Sequence, residues 1–172
     1  TTGSVGNIAG TGLLINKGSL FAGSLGGDLQ NDAGATFQMG GNIAGDAVNA
    51  GTMLLASAGN YSIAGTFENN GIFDFGGAGD GRTLTVSTLT GGGTIQMIVN
   101  TDDLTKSDKL SVTGDASGSQ HIALSAAGTG TLNKNSKVSD MIKVGGDMSG
   151  WTLTSSGVDV GLFHFDLMQN AA

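Results

Sequence analysis

The chain has 172 residues, a net charge of −7 and 32 Gly, with neither Pro nor Cys. Only 12% of its residues are charged and 5% aromatic, and much of the rest is Ser, Thr and Asn, a balance unlike a compact α/β enzyme and suited to strands and turns. Its seven Lys and Arg form no basic stripe, which argues against nucleic acid and anionic membrane surfaces as partners, and the lack of Cys removes disulfides and thiolate metal sites.

The acidic balance, 13 Asp with a single Glu, reads as a solubility feature. At 38% hydrophobic with patterned apolar positions, the chain is no disordered linker and is long enough for one continuous core. Pro is confined mainly to sheet edges and bulges. Its absence beside so much Gly implies sharp corners between strands that have neighbours on both sides. No signal-peptide pattern or membrane-length apolar run stands out. The pattern is already under way at Thr1, as in a segment of a longer chain.

From the N-terminus an Asn–x–Gly corner recurs, as Asn16-Lys17-Gly18, Asn49-Ala50-Gly51 and Asn69-Asn70-Gly71, with Asn31-Asp32-Ala33-Gly34 one residue longer. The Asn positions are spaced 15, 18 and 20 residues apart. Leu25-Gly26-Gly27, Ile43-Ala44-Gly45 and Ile63-Ala64-Gly65 precede the last three corners in register. A period near 20 residues without a helical moment fits one turn of a parallel β-helix. Asn and Gly would supply left-handed backbone at the corners, and stacked Asn side chains could bond along the column. A meander of hairpins also uses Asn–Gly turns, but it does not require one corner at one interval.

Beyond residue 80 the repeat fades while alternation continues: Leu84 with Val86, Ile95 with Met97 and Val99, Leu110 with Val112, Ile122 with Leu124. Trp151 with Leu153, Val158 with Val160, and Phe163, Phe165 and Leu167 follow. These read as strands with one buried face, and Gly161 as a bulge or bend. Residues 1–80 are expected to form regular coils, and 81–172 the C-terminal coils and a cap, since terminal repeats must cover an open core. The expected core of that cap is Leu110, Val112, Trp151, Phe163, Phe165 and Leu167.

Chemical motifs are sparse. No phosphate-binding loop or nucleophile elbow occurs. Gly76-Gly77-Ala78-Gly79-Asp80-Gly81 departs from the calcium nonapeptide by one position and occurs once, so it reads as a turn. His164, between Phe163 and Phe165, is expected on the surface, as is His121 at the start of a strand. Asp28 and Asp46 each follow an aligned Gly and share a column. Acid–base work on a polysaccharide would need a partner in that column, but the next turn offers Thr66 and the chain's single Arg is Arg82. Asp102, Asp103 and Asp108 read as a solvated polar loop. No catalytic, metal or cofactor site is expected.

Residues 83–128 resemble the pertactin-like C-terminal part of autotransporter passengers. The resemblance rests on Leu84-Thr85-Val86-Ser87-Thr88-Leu89, Gly91-Gly92-Gly93-Thr94-Ile95 and Ser107-Asp108-Lys109-Leu110-Ser111-Val112-Thr113-Gly114, running on into Asp115-Ala116-Ser117-Gly118. The closing Val158-Asp159-Val160-Gly161-Leu162-Phe163-His164-Phe165-Asp166-Leu167 is similar to that family's final strand pair, and the Asn–Gly turns to its stem. Around 128–150 only Met141-Ile142-Lys143-Val144 looks like a strand. The resemblance implies an all-β, right-handed, single-stranded parallel β-helix, capped at its C-terminal end and containing an autochaperone region. It implies export C-terminus first through the outer membrane to the cell surface or beyond, with the chain's own C-terminal outer-membrane β-barrel and the upstream passenger coils as partners. Early folding of this segment would then template those coils. Two other readings are an adhesin or self-association module with a host surface ligand, and, more remotely, a carbohydrate-active β-helix.

Overall fold

In the computed structural model residues 2–133, 135–161 and 163–168 are described. The strands of the first coils are short: β1 (Thr2–Val5), β2 (Leu13–Asn16), β3 (Ser19–Ala22), β4 (Asp28–Asn31), β5 (Thr36–Met39), β6 (Ala47–Asn49) and β7 (Thr52–Leu55). Most later strands are longer: β8 (Asn60–Asn69), β9 (Ile72–Asp74), β10 (Thr83–Thr90), β11 (Thr94–Asn100), β12 (Lys109–Val112) and β13 (Gly118–Ala127). The chain closes with β14 (Ile142–Val144), β15 (Trp151–Ser155), β16 (Val158–Val160) and β17 (Phe163–Phe165).

Each strand up to β13 pairs in parallel with the strand two places on. Odd strands β1 to β15 build an eight-stranded sheet and even strands β2 to β14 a seven-stranded one. The chain therefore winds from one sheet to the other and advances one strand spacing, about 4.8 Å, per coil. A narrow third face starts as single bridges joining Ile8, Leu25, Ile43 and Ile63. From β8 on it merges with the even sheet, because β8 and β10 run round the corner in one strand with a register shift between Val86 and Thr88. The fold is a single-stranded parallel β-helix, and parallel crossovers of this kind are almost always right-handed.

Period-two alternation selects what goes inside. The odd sheet contributes the column Leu20, Phe37, Met53, Phe73, Ile95, Ile122. The even sheet contributes Leu14, Leu29, Ala47, Phe67, Leu89, Ala116. The third column passes from Ile63 through Val86 and Val112 to Val144. Phe73 meets Phe67 and Phe75 edge-on, with ring centroids 5.4 and 5.3 Å apart. Each such fully buried ring is worth roughly 1.5–3 kcal/mol over exposure.

The corners differ in tolerance. Between the even and odd sheets the chain turns tightly, as at Ala50-Gly51 and Asn70-Gly71. Extra length leaves the helix where an odd strand ends, at 56–59, 76–82, 101–108 and 128–141. Neighbouring excursions bond to one another: Asn100 Nδ2 donates to the Gly79 carbonyl, and the Thr129 N–H to Asp102 Oδ1 at 2.8 Å.

The C-terminal end is covered by an antiparallel hairpin of β16 and β17, the one departure from parallel pairing among the described strands. Gly161, expected as a bulge or bend, lies in the hairpin's turn at φ +61°. Leu162 beside it lies outside the described residues. The strand-like Met141–Val144 is β14 with Met141 buried before it, paired to β12.

Candidate functional site

The corner asparagines form a buried ladder. Asn16, Asn31, Asn49 and Asn69 stand in register on β2, β4, β6 and β8, and the last three are fully buried. Each Nδ2 donates to the Oδ1 of the next Asn at 2.8, 2.8 and 2.9 Å, and also to a carbonyl of the odd strand entering the next coil: Thr36, Thr52, Ile72. Every amide thus points its donor toward the C-terminus. Burial of an unpaired amide costs several kcal/mol, so full pairing is what makes this column tolerable.

The corner glycines have two different reasons: Gly34, at φ +78° with open space around it, supplies the left-handed backbone expected from the sequence, whereas Gly51 and Gly71 are required by crowding. Gly18, Gly51 and Gly71 have no positive φ, and neither have the four Asn. A Cβ at Gly51 would lie 2.3 Å from the Ala35 carbonyl oxygen, and one at Gly71 2.1 Å from that of Gly51. Coils approach so closely here that no side chain fits.

At the coil after Asn69 the corner is Gly91-Gly92-Gly93, and no Asn is available. Gln120, fully buried one coil further on, crosses the gap. Its Oε1 accepts from Asn69 Nδ2 at 3.1 Å, while its Nε2 donates to the Asn69 and Thr90 carbonyls, both at 3.1 Å. Sequence reasoning missed Gln120; the only signal was a Gly run where the repeat demanded Asn.

A second polar post stands where the regular repeat ends. Gly76, Gly77, Gly79 and Gly81 all lie at positive φ, and Gly76 and Gly77 pack against the Arg82 guanidinium. Arg82 Nη1 donates to the Leu55 and Phe75 carbonyls at 2.7 and 2.8 Å, and Nε to Asp80 Oδ1 at 2.9 Å. That contact holds the Asp80 carboxyl below its usual range despite partial desolvation. The Gly-rich stretch is thus a turn built on an arginine. Asp108 requires a correction. It lies in no solvated loop but is fully buried, its Oδ1 accepting the Arg82 N–H at 3.2 Å and Oδ2 the Ile98 N–H at 2.8 Å. Burial pushes its carboxyl up to about 6, against the pull of both N–H donors and the Arg82 charge. Arg82 and Asp108 together tie three successive coils, through Leu55, Phe75 and Ile98.

Of the expected cap residues, Leu110 and Val112 on β12 are buried at 1% exposure. Trp151, Phe165 and Leu167 are half-buried and pack against the main core. The indole N–H of Trp151 is buried without a partner among the described residues. Phe163 belongs to β17, and its side chain lies outside the described part.

The remaining candidates are surface groups. Asp28 and Asp46 do stack, and their Oδ1 atoms accept the N–H of Asp46 and Thr66 on the following coil at 2.9 and 2.7 Å. His164 is exposed, with Nδ1 2.6 Å from Asp159 Oδ1 across the hairpin. His121 is the fourth residue of β13 rather than its first, and its Nδ1 lies 3.0 Å from Thr154 Oγ1. No group of three His, Asp or Glu that could hold a metal occurs among the described residues.

Comparison with known proteins agrees with this architecture. The chain is 29% identical to the autotransporter adhesin/invasin TibA of Escherichia coli, in an alignment covering 94% of the chain and 19% of that protein. It therefore spans about a fifth of the length of this relative. No solved structure matches significantly. The pertactin family model matches residues 73–172, the half that holds the Arg82 post, Gln120 and the hairpin. The chain belongs to the pertactin family and is a passenger segment of a surface-displayed or secreted autotransporter.

Proposed function

We propose that this segment is the folding nucleus of its passenger: the coils of residues 81–172 form early outside the cell and present an ordered edge on which the coils of 1–80, and those upstream, dock in turn. One observation carries this reading. The Arg82–Asp108 post locks three successive coils together beside the long strands β10 and β11, of eight and seven residues. A first coil is slow to form because loop closure precedes any reward. Long strands and a cross-coil post reduce that cost, whereas later coils need only nearest-neighbour docking. No ATP is available beyond the outer membrane, so folding free energy can bias the chain against sliding back through its own barrel, the partner this reading requires.

The test is deletion of residues 101–168 from the full-length parent in its native host, with surface exposure and protease resistance of the upstream passenger as readouts. Stalled export, or export of a protease-sensitive passenger, is the expected result. Normal display of a resistant passenger refutes the nucleus role.

A second reading rests on the 29% identity to a protein named as an adhesin/invasin. In it, the outward Ser, Thr and Asn side chains meet a host surface ligand or another passenger. Specific binding of the purified segment to host cells or matrix would favour it.

A further inference from the structure

We infer that Gln120 is the foundation of the amide ladder, and that it sets the register of coils lying up to a hundred residues before it. The inference rests on the nucleus reading and says how templating is transmitted.

The Asn column has a direction. Every Nδ2 donates toward the C-terminal neighbour, so each Asn is oriented by acceptors that must already be in place behind it. Asn69 ends the repeat, and its Nδ2 finds the Thr94 carbonyl and Gln120 Oε1. Gln120 also clamps the backbone of the Asn69 corner by donating to its carbonyl. With its amide fixed at both ends, Gln120 holds Asn69 with Oδ1 facing the N-terminal side, ready for Asn49. The same logic passes to Asn31 and Asn16. Among the described residues Asn16 Oδ1 takes only the Gly18 N–H, at 3.2 Å, which leaves an amide acceptor facing the N-terminal end.

The intervening coil is emptied for this contact. A Cβ at Gly93 would come within 2.9 Å of Asn69 Nδ2, and one at Gly91 within 2.4 Å of the Asn69 carbonyl oxygen. Only a side chain one methylene longer than Asn, rising from the coil beyond, spans the gap. A one-residue slip in a parallel strand would turn its apolar face outward. The buried amide reports such a slip at once, because a misregistered coil leaves an unpaired donor.

The experiment is pulsed hydrogen exchange during refolding of the whole chain, comparing wild type, Gln120→Ala and the exposed-site control Gln96→Ala. In wild type, amides of β11–β13 are expected to gain protection before those of β2–β7. Gln120→Ala is expected to delay β2–β7 by about tenfold, the rate effect of losing a buried bond formed before they dock, and Gln96→Ala to change nothing. Unaltered timing of β2–β7 in Gln120→Ala overturns the inference and leaves the nucleus reading intact. Protection of β2–β7 first in wild type overturns both. If Gln120→Ala fails to fold, Asn31→Ala decides: it should delay only β1–β4, and a delay in β11–β13 refutes directional seeding.

Discussion

Lowering the pH from about 7 to about 5 is expected to stabilise the folded chain by about 1.3 kcal/mol through Asp108 alone. Folding raises this carboxyl from 3.8 to about 6, because burial disfavours its charged form. The folded state therefore binds the proton more tightly than the unfolded one. The resulting stability is fully present below 3.8 and is lost as the pH rises through about 6. At about 1.4 kcal/mol per unit, the whole window is worth roughly 3 kcal/mol, of which the first unit below 6 is gained by pH 5. Asp80, Asp103 and Asp147 are shifted the other way, so their stabilising contributions are lost only in stronger acid. Acid also relieves self-repulsion in a chain of net charge −7, so the Asp108 share must be isolated by substitution. Urea unfolding at both pH values, for wild type and Asp108→Asn, provides the comparison. The variant offers the Arg82 and Ile98 N–H groups one acceptor instead of two, so its absolute stability will fall. The informative quantity is the difference between pH values, which should shrink by about 1.3 kcal/mol in the variant. Equal pH dependence in the two proteins would refute the account of Asp108 as a buried, reluctantly charged group.

Asn49→Ala strips a donor from Asn69 Oδ1 and the Ile72 carbonyl and an acceptor from Asn31, and should cost about 2–4 kcal/mol in chemical denaturation. Asn42→Ala, which removes one exposed acceptor for the Ser62 N–H, should cost under about 1 kcal/mol; equal losses would show that burial of the column is not what matters. Leu110→Ala should destabilise by about 2–5 kcal/mol and Phe165→Ala, half-buried on the hairpin, by clearly less. The reverse order of unfolding midpoints would place the core of the cap in the hairpin. Gly77→Ala forces a side chain into φ +75° and to 2.5 Å from Arg82 Nη2, and should cost about 2 kcal/mol. A thermal midpoint equal to wild type would mean the loop does not grip the guanidinium.

The parts of the fold that repeat were legible in the sequence, because repetition turns one structural requirement into several observations. Asn16, Asn31, Asn49 and Asn69 announce one corner four times, and Ile43 with Ile63 marks the same inward position twice. Beyond residue 80, alternation alone placed Leu84, Val86, Ile95 and Met97 inside, where they are buried. What escaped depends on contacts between unlike positions. Gln120 sits 51 residues from Asn69, and Asp108 26 from Arg82, and each pair joins two different residue types once rather than repeating one type along a column. Asp108 was misjudged because its neighbours Ser107 and Lys109 look solvated, yet the excursion from 101 to 108 folds back and delivers the carboxylate to two inward N–H groups. The left-handed backbone expected at the corners holds at Gly34 but not at Gly51 and Gly71, since close approach of coils is a property of the stack, which a single turn cannot display.

The four excursions that leave the helix at one corner give the rod a lopsided cross-section, with a thick keel along one edge and smooth flanks elsewhere. Chain length can change within the keel without disturbing the stacked columns, as it already does between the short connection at 56–59 and the long one at 128–141. The opposite, Asn-bearing corner has less freedom: four residues, 32–35, follow Asn31 where two follow Asn16, Asn49 and Asn69, but the Asn itself stays in the column, because displacing it would break the buried ladder. Sequence drift, accommodated insertions and any grafted epitope should therefore concentrate on one side of the passenger, which would present a variable edge to the outside and keep an unchanging spine behind it.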